Sequence, residues 1–476
     1  VKRISFTCRA LVLVLALLVC APAVGYSADY TRAIEHARTI VRKYVRATGA
    51  PALQIAVEVD GKIVWSEAFG EADIANHTRA TTRSQFRIAS ISKLLTGTLT
   101  AGLADSGVLD LDRPIGDYVP NLPAAWHDIT ADMLVHHTSG IAHYSSEKDA
   151  LDTTFYPTTR DAIRRFENRP LAHPPGVSET YSSYAYTVLA LAIEQATGES
   201  FLKVMRQELL RPLGMTHTEP DLQKAPPPER TRFYDLTDGD SIAVAPYIDL
   251  SGRWAGSGFL STAEDLVRFG MAHTDSGQLP QSVRALVGQR EKLPGGTMTK
   301  EAFGWGPRHD WDGRPMLWGD GSTQGSRCGL LVYPRDNLAI AILTNLDGLA
   351  LERGELQTLA HLFFGVRQKE EVAACRPEAI GSWRAKVPVK KAEVGVDLDI
   401  RTITPVTGSL TIEGWRSLEI ADIFRFDDTT WVVTLDRQGM LPLTFVPERN
   451  EMAASIPRIG WSLTLHRKSG TTTDNR

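Results

Sequence analysis

Phe86-Arg87-Ile88-Ala89-Ser90-Ile91-Ser92-Lys93-Leu94-Leu95-Thr96-Gly97 is the stretch on which the reading of this 476-residue chain turns. The apolar run that follows, through Leu99, Ala101 and Leu103, predicts a loop entering a buried helix. With 3.6 residues per turn, Ser90 and Lys93 fall on one face, one turn apart. A serine hydroxyl is a weak nucleophile at neutral pH. A lysine amine relieved of its charge by burial can take its proton. The helix N-terminus adds unpaired N–H groups and a positive dipole end beside the developing alkoxide.

The bare pattern Ser-x-x-Lys carries little weight, because the chain holds it three times. Context separates the copies. Ser145 to Lys148 lies in a polar stretch with Glu147 and Asp149 and reads as solvated. Ser200 follows Gly198-Glu199 and reads as the N-cap of a helix through Phe201 to Leu210. Only Ser90 precedes a helix apolar enough to bury its lysine, and burial is what removes the ammonium proton.

Outward from this stretch, Asp29 to Tyr44 has helical periodicity. Ala52 to Val59 and Lys62 to Phe69 read as two strands joined by Asp60-Gly61, a type I′ hairpin signal. Residues 86 to 270 are mainly helices and long loops. Strands return at Arg327 to Tyr333 and Asn337 to Thr344, and a helix is expected from Leu349 to Phe364. Strands at both ends with helices between them predict an α+β fold. Its antiparallel sheet, built from both termini, is flanked by helices and carries a helical subdomain. From Ile380 to His466, short alternating strands predict a small all-β domain, sandwich or barrel. The expected division is a signal peptide at 1–28, a main domain at 29–366, a linker at 367–379, a β domain at 380–467 and a disordered tail at 468–476.

Composition is that of an ordinary globular protein, 43% hydrophobic and 23% charged, with a formal charge of −4. A mildly acidic chain without a basic-aromatic stripe excludes a nucleic-acid binder. Lys2-Arg3, the apolar run Ala10 to Val19, and small-residue sites at Ala21-Pro22-Ala23 and Tyr26-Ser27-Ala28 read as an export signal. Val1 in place of methionine fits a bacterial alternative start codon. The mature protein is then expected in the periplasm or outside the cell, without a membrane span. Val19 before Cys20 is bulky, which disfavours a lipid anchor. Cys328, in an apolar strand, reads as a buried small hydrophobe rather than a partner for Cys375. His136 and His137 are adjacent and point apart on any regular element, so no metal site is read there. No cofactor is expected, and the oligomeric state is open.

With this layout the chain resembles the serine β-lactamase and penicillin-binding family, in its class C β-lactamase, D,D-peptidase and esterase branch. The resemblance covers roughly Asp29 to Phe364. The hairpin ending in Trp65 to Gly70 comes first, then the Ser90 stretch, then Ile129 to Gly140 with His137-Thr138-Ser139-Gly140. Pro174-Pro175-Gly176 leading to Tyr181-Ser182-Ser183, Gly256 to Thr262, and Gly321-Ser322-Thr323-Gln324-Gly325 follow in order. No Gly-x-Ser-x-Gly elbow occurs, which argues against an α/β-hydrolase.

The resemblance implies an acyl-enzyme on Ser90, with Lys93 and Tyr181 handling protons. A phenol beside cations can become a phenolate and act as base. It also implies a substrate wall of Ser183, Asp320, Gly321 and Ser322, with an oxyanion site at the N–H of Ser90 and of Ser322 or its neighbour. His137 is then scaffold rather than base. One departure stands out. The family places Lys-Thr-Gly, His-Thr-Gly or His-Asp-Gly on the strand facing the serine, and here the text is Gly319-Asp320-Gly321. The cation has gone, with Arg327, His309 and Arg253 as candidates to replace it. Expected substrates are D-amino-acid peptides of the cell wall, β-lactams or small esters. The missing cation tilts the expectation toward an ester or an uncharged amide. The alternative is a weakened member that binds or assembles.

Overall fold

The computed structural model describes residues 29–368 apart from 238–240, 311–312, 350 and 352, and the segments 381–389, 392–403, 406–413, 417–425, 430–435, 439–446, 451–456 and 461–468. The export signal at 1–28, Cys375, residues 369–380 and the tail from 469 lie outside the described residues.

Helix α1 (Thr31–Thr48) leads into strands β1 (Ala52–Val59) and β2 (Lys62–Asp73). Asp60 and Gly61 both take positive φ, as a type I′ turn requires. The short β3 (Thr78–Arg79) follows, then α2 (Ile91–Asp105), α3 (Ala131–Val135), α4 (Ser183–Thr197), α5 (Trp254–Ser257) and α6 (Ala263–Met271). The chain then supplies β4 (Gly306–His309), β5 (Pro315–Thr323), β6 (Ser326–Tyr333) and β7 (Leu338–Thr344), and ends this part on α7 (Arg353–Gln368). The antiparallel sheet runs β3-β2-β1-β7-β6-β5-β4, so the first long strand pairs with the last. This is the fold class expected from the sequence.

The two faces of the sheet differ in side-chain size. Leu53, Ile55, Val57, Leu338, Ile340 and Ile342 point into a core with α1 and α7. Ala52, Ala56, Ala339 and Ala341 face the helical region. The small side chains admit α6 closely: a Cβ on Gly270 would stand 2.8 Å from Val332 and 3.0 Å from Ala339. Helix α2 forms the axis of that second core. Twelve of its fifteen residues are buried, so it is apolar nearly all round rather than amphipathic. Its buried hydroxyls are satisfied inside the protein, Thr96 on the Ser92 and Ala255 carbonyls and Thr100 on the Thr96 carbonyl.

Two expected boundaries shift. Helix α7 starts at Arg353, not Leu349, and runs to Gln368, past the expected start of a linker. Gly348 takes φ +81°, and Leu349 packs with Ala50, Tyr234 and Leu346. Tertiary packing, not a helix, uses those apolar residues. From Gly381 to Arg467 eight antiparallel strands close into a barrel, the first pairing with the last at Trp383–Arg467 and Arg384–His466. Of the two β architectures expected, the chain adopts the barrel. Among the described residues no helix is long and apolar enough to cross a membrane.

Candidate active site

Ser90 sits at the N-cap of α2, half-buried. Ala89 before it takes φ +43°, a left-handed conformation costing about 1–2 kcal/mol for a residue with a Cβ. Lys93 is 1% exposed, and its Nζ donates to Ser90 Oγ at 3.2 Å and to the Gly256 carbonyl at 2.8 Å. The other two Ser-x-x-Lys copies lie away from the cleft, and Ser200 precedes a helix at Phe201–Val204 that its side chain does not cap, with a π-helical continuation at Met205–Leu210. Lys148 is exposed, and Lys203 pairs with Glu199 at the surface.

Tyr181 arrives from the far side. Its loop is stitched to the segment after α3 by Thr180 N–H on the His137 carbonyl (2.8 Å) and Gly176 N–H on the Thr138 carbonyl (2.8 Å). Ser182 caps α4 by accepting the Ala185 N–H. The Tyr181 hydroxyl thereby stands 2.7 Å from Ser90 Oγ. Ser183, the first residue of α4, is buried against Gly256 and donates its N–H to His143 Nδ1 at 3.2 Å.

Ser90, Lys93, Tyr181, Ser183, Asp320 and Ser322 line one cleft of about 510 Å³. Gly321 sits in the same strand, opposite Cys328, and a Cβ there would stand 2.4 Å from the Ile88 carbonyl. Ser322 donates its hydroxyl to Asp347 at 2.9 Å. Cys328 is a free, buried thiol that donates to the Ile88 carbonyl.

Burial pushes the Lys93 ammonium down to about 7. The Glu301 and Asp320 carboxylates pull it back up, and Arg253 pushes it down. The phenol of Tyr181 departs from expectation. Desolvation, and after it the Glu301 carboxylate, raise it above its ordinary value, although 37% of the residue is exposed. Lys93 Nζ lies 4.6 Å from the centre of the Tyr181 ring, over its face. Lys93, not Tyr181, changes charge near neutrality.

The question of the missing cation has a steric answer. Gly319 faces Leu94 of α2, and a Cβ there would come within 2.3 Å of that side chain. No side chain reaches the serine from this position. Arg327 pairs with Asp320 at 3.3 Å, and Arg253 donates to the Ala150 carbonyl at 2.6 Å. Both line the cleft, whereas His309 does not. Lys300, Arg308 and Arg353 complete the basic wall. These three, with His143 and Glu301, were missed in the sequence. Lys300, Arg308, His143 and Glu301 lie between recognised motifs, in segments without periodicity that the tertiary fold gathers, and Arg353 opens α7, a helix read only for its apolar residues. The ring of His143 stacks on Tyr144, and burial followed by the Lys93 charge lowers its pKa to about 4, so it is neutral.

His137 is scaffold, as expected: it is buried and accepts the Ser182 N–H at Nδ1. Its neighbour His136 turns away to Asp132 and Glu291, a group whose ligand atoms lie within 4.8 Å of one another. The geometry there is that of an ion pair. His136 Nδ1 meets Asp132 at 3.2 Å, and Nε2 meets the Gln289 carbonyl at 3.1 Å. Burial opposes the charge, but Asp132 and the Gln289 carbonyl outweigh it and raise the pKa.

The family model described as Beta-lactamase matches residues 37–363. The chain is 32% identical to Penicillin-binding protein 4 of Amycolatopsis lactamdurans, over 62% of this chain and 81% of that protein. It is also 32% identical to the human Serine beta-lactamase-like protein LACTB, mitochondrial, over 53% of this chain. That match spans only 58% of LACTB. Among solved structures, the octameric penicillin-binding protein homologue from Pyrococcus abyssi aligns with a TM-score of 0.60, over 91% of this chain and 99% of that one. At 16% identity this likeness is one of fold alone.

Proposed function

The chain belongs to the Beta-lactamase family, whose members are serine hydrolases, and from that premise we propose that it cleaves acyl substrates bearing an anionic group through a Ser90 acyl-enzyme. The observation that carries the reading is the single oxygen, Ser90 Oγ, shared between Lys93 Nζ at 3.2 Å and the Tyr181 hydroxyl at 2.7 Å. Ser90 Oγ attacks the substrate carbonyl and its proton passes to the neutral amine of Lys93. The carbonyl oxygen gathers charge toward the N–H groups of Ser90 and the Ser322 strand. As the acyl bond breaks, the leaving nitrogen or oxygen takes a proton from the Tyr181 hydroxyl, and Tyr181 recovers one from the Lys93 ammonium. Water then attacks the ester on Ser90, gives its proton to the same pair, and Ser90 leaves with a proton restored.

The charge of the cleft supports the substrate class. Apart from Lys93, it is lined by Arg253, Lys300, Arg308, Arg327 and Arg353 against Glu301 and Asp320. Such a wall favours an acyl donor with a free carboxylate, a D-amino-acid peptide or a β-lactam, over a neutral ester. This replaces the tilt toward uncharged substrates, which considered only the position now occupied by Gly319. Export with removal of residues 1–28, and a separate β domain after residue 379, belong to the same proposal.

The test is a fluorophosphonate and a fluorescent penicillin, with the labelled peptide identified by mass, beside rates on nitrocefin, a D-Ala-D-Ala peptide, its C-terminal amide and p-nitrophenyl acetate. Label on Ser90 that vanishes in Ser90→Ala, with faster turnover of the carboxylate-bearing compounds, is expected. Absence of label with both probes would favour a binding protein. A faster ester would overturn the substrate class.

A further inference from the structure

Glu301 lines the catalytic cleft yet belongs to no motif. Its backbone is fixed on three sides. Lys300 N–H donates to Glu179 at 2.9 Å, Arg308 donates to the Lys300 carbonyl at 2.9 Å, and the Thr299 hydroxyl donates to the Glu301 carbonyl at 2.9 Å. The next residues press on the nucleophile helix. A Cβ on Gly97 would stand 1.9 Å from the Phe303 carbonyl, and one on Gly304 would stand 2.7 Å from the Lys93 carbonyl. Glu301 is thereby held at a fixed place relative to Lys93.

Its side chain faces His137. His137 Nδ1 accepts from Ser182, which turns Nε2 toward the carboxylate: Nε2 lies 3.4 Å from Glu301 Oε2, in proximity rather than in a hydrogen bond. The His137 ring packs against Tyr181 at 4.6 Å and Tyr186 at 5.2 Å between centroids. Lys93 Nζ approaches the same two rings, at 4.6 Å and 5.7 Å. Carboxylate and amine thus bracket one aromatic pair.

We propose that Glu301, set beside His137 by its fixed backbone, is a positioning residue that sets the proton balance of the Ser90–Lys93–Tyr181 cluster. The inference rests on the reading of Ser90 as nucleophile. A fixed negative charge in the cleft stabilises the Lys93 ammonium and resists a phenolate at Tyr181. The other ionisable groups facing the cluster are Arg253, Asp320, His143, Tyr144 and Tyr186. Lys300, Arg308, Arg327 and Arg353 line the same cleft, Arg308 within electrostatic reach of Glu301 itself. Arg253 acts against the ammonium and Asp320 with it, but Asp320 is shared with Arg327. His143 is neutral in the working range, and Tyr186 is held protonated by burial.

The experiment follows the rate of Ser90 labelling by a fluorophosphonate across about pH 5 to 9 in wild type, Glu301→Gln and Glu301→Asp, with Ser90→Ala as blank and thermal unfolding as a check on folding. Labelling reads activation of the nucleophile without the natural substrate. In Glu301→Gln the acid limb is expected to move about one unit lower, so that one unit below the wild-type midpoint the variant keeps about fivefold more of its own plateau rate. Glu301→Asp is expected to keep the wild-type limb. If Glu301→Gln does not fold, the limb is read in Glu301→Ala, where loss of charge has the same sign. A wild-type limb in the uncharged variant overturns the proposal whatever its plateau, as does an equal shift in Glu301→Asp. Absence of labelling in wild type overturns the Ser90 reading itself, and the proposal with it.

Discussion

The Tyr181 hydroxyl stands 2.7 Å from Ser90 Oγ, on an oxygen that Lys93 Nζ also reaches at 3.2 Å. Two proton carriers of unequal acidity meet one nucleophile. Burial brings Lys93 to about 7 and raises Tyr181. Desolvation therefore acts in opposite senses on the charge of the two, favouring a neutral amine at Lys93 and a neutral phenol at Tyr181.

The first consequence is a pH profile. In the proposed mechanism the neutral amine accepts the Ser90 proton, and that amine is lost as pH falls through about 7. We expect kcat/KM to fall about tenfold per unit below that point and to level off above it. A flat profile between about pH 6 and 8 would take Lys93 out of the proton transfer.

Tyr181→Phe keeps the ring on His137 and removes only the hydroxyl. Its expected cost is about 10²–10⁴ in kcat, with an unchanged melting temperature. The Lys93 limb near 7 should persist. A variant that retains more than about a third of wild-type kcat would remove Tyr181 from the chemistry.

Gly319 and Gly321 are intolerant for different reasons. At Gly321 the obstacle is the Ile88 carbonyl at 2.4 Å, and at Gly319 it is the end of the Leu94 side chain at 2.3 Å. Each Ala substitution is expected to cost about 1–3 kcal/mol. Adding Leu94→Ala should offset part of the Gly319→Ala cost, less than additively, and none of the Gly321→Ala cost. Denaturant unfolding of the two glycine variants, Leu94→Ala and the two double variants decides it.

Asp221 holds Arg87 at 2.8 Å and Arg230 at 2.7 Å with a fully buried carboxylate, and Arg87 also donates to the Gln324 carbonyl in the turn after β5. Asp221→Ala leaves a buried guanidinium uncompensated, at an expected cost of about 3–5 kcal/mol. Urea unfolding showing a loss under about 1 kcal/mol would mean that the Arg87 charge escapes to water.

The basic wall predicts a salt effect. KM for a carboxylate-bearing substrate should rise with ionic strength and in Arg308→Gln, while KM for a neutral ester should move little in either case. Parallel changes for both substrates would count against charge recognition.

The candidate site was half legible. Ser90 and Lys93 could be read because one helical turn joins them, whereas Tyr181 was read only through the family resemblance, its residues alone fitting a packed loop as well. Glu301 and Arg308 were not legible. They sit in connecting segments whose side-chain directions are set by contacts more than a hundred residues away, such as Lys300 N–H on Glu179.

By itself the sequence determined the local elements: the Asp60-Gly61 hairpin, the apolar helix behind Ser90, and the terminal strands that must share one sheet. Periodicity and turn chemistry act over a few residues, so they survive in the text. The charge that faces the serine was decided by tertiary structure alone. Leu94 fills the space beside Gly319, and arginines from four separate places supply the cleft instead. Burial, which exists only in the folded chain, then sets which of Lys93 and Tyr181 carries the proton.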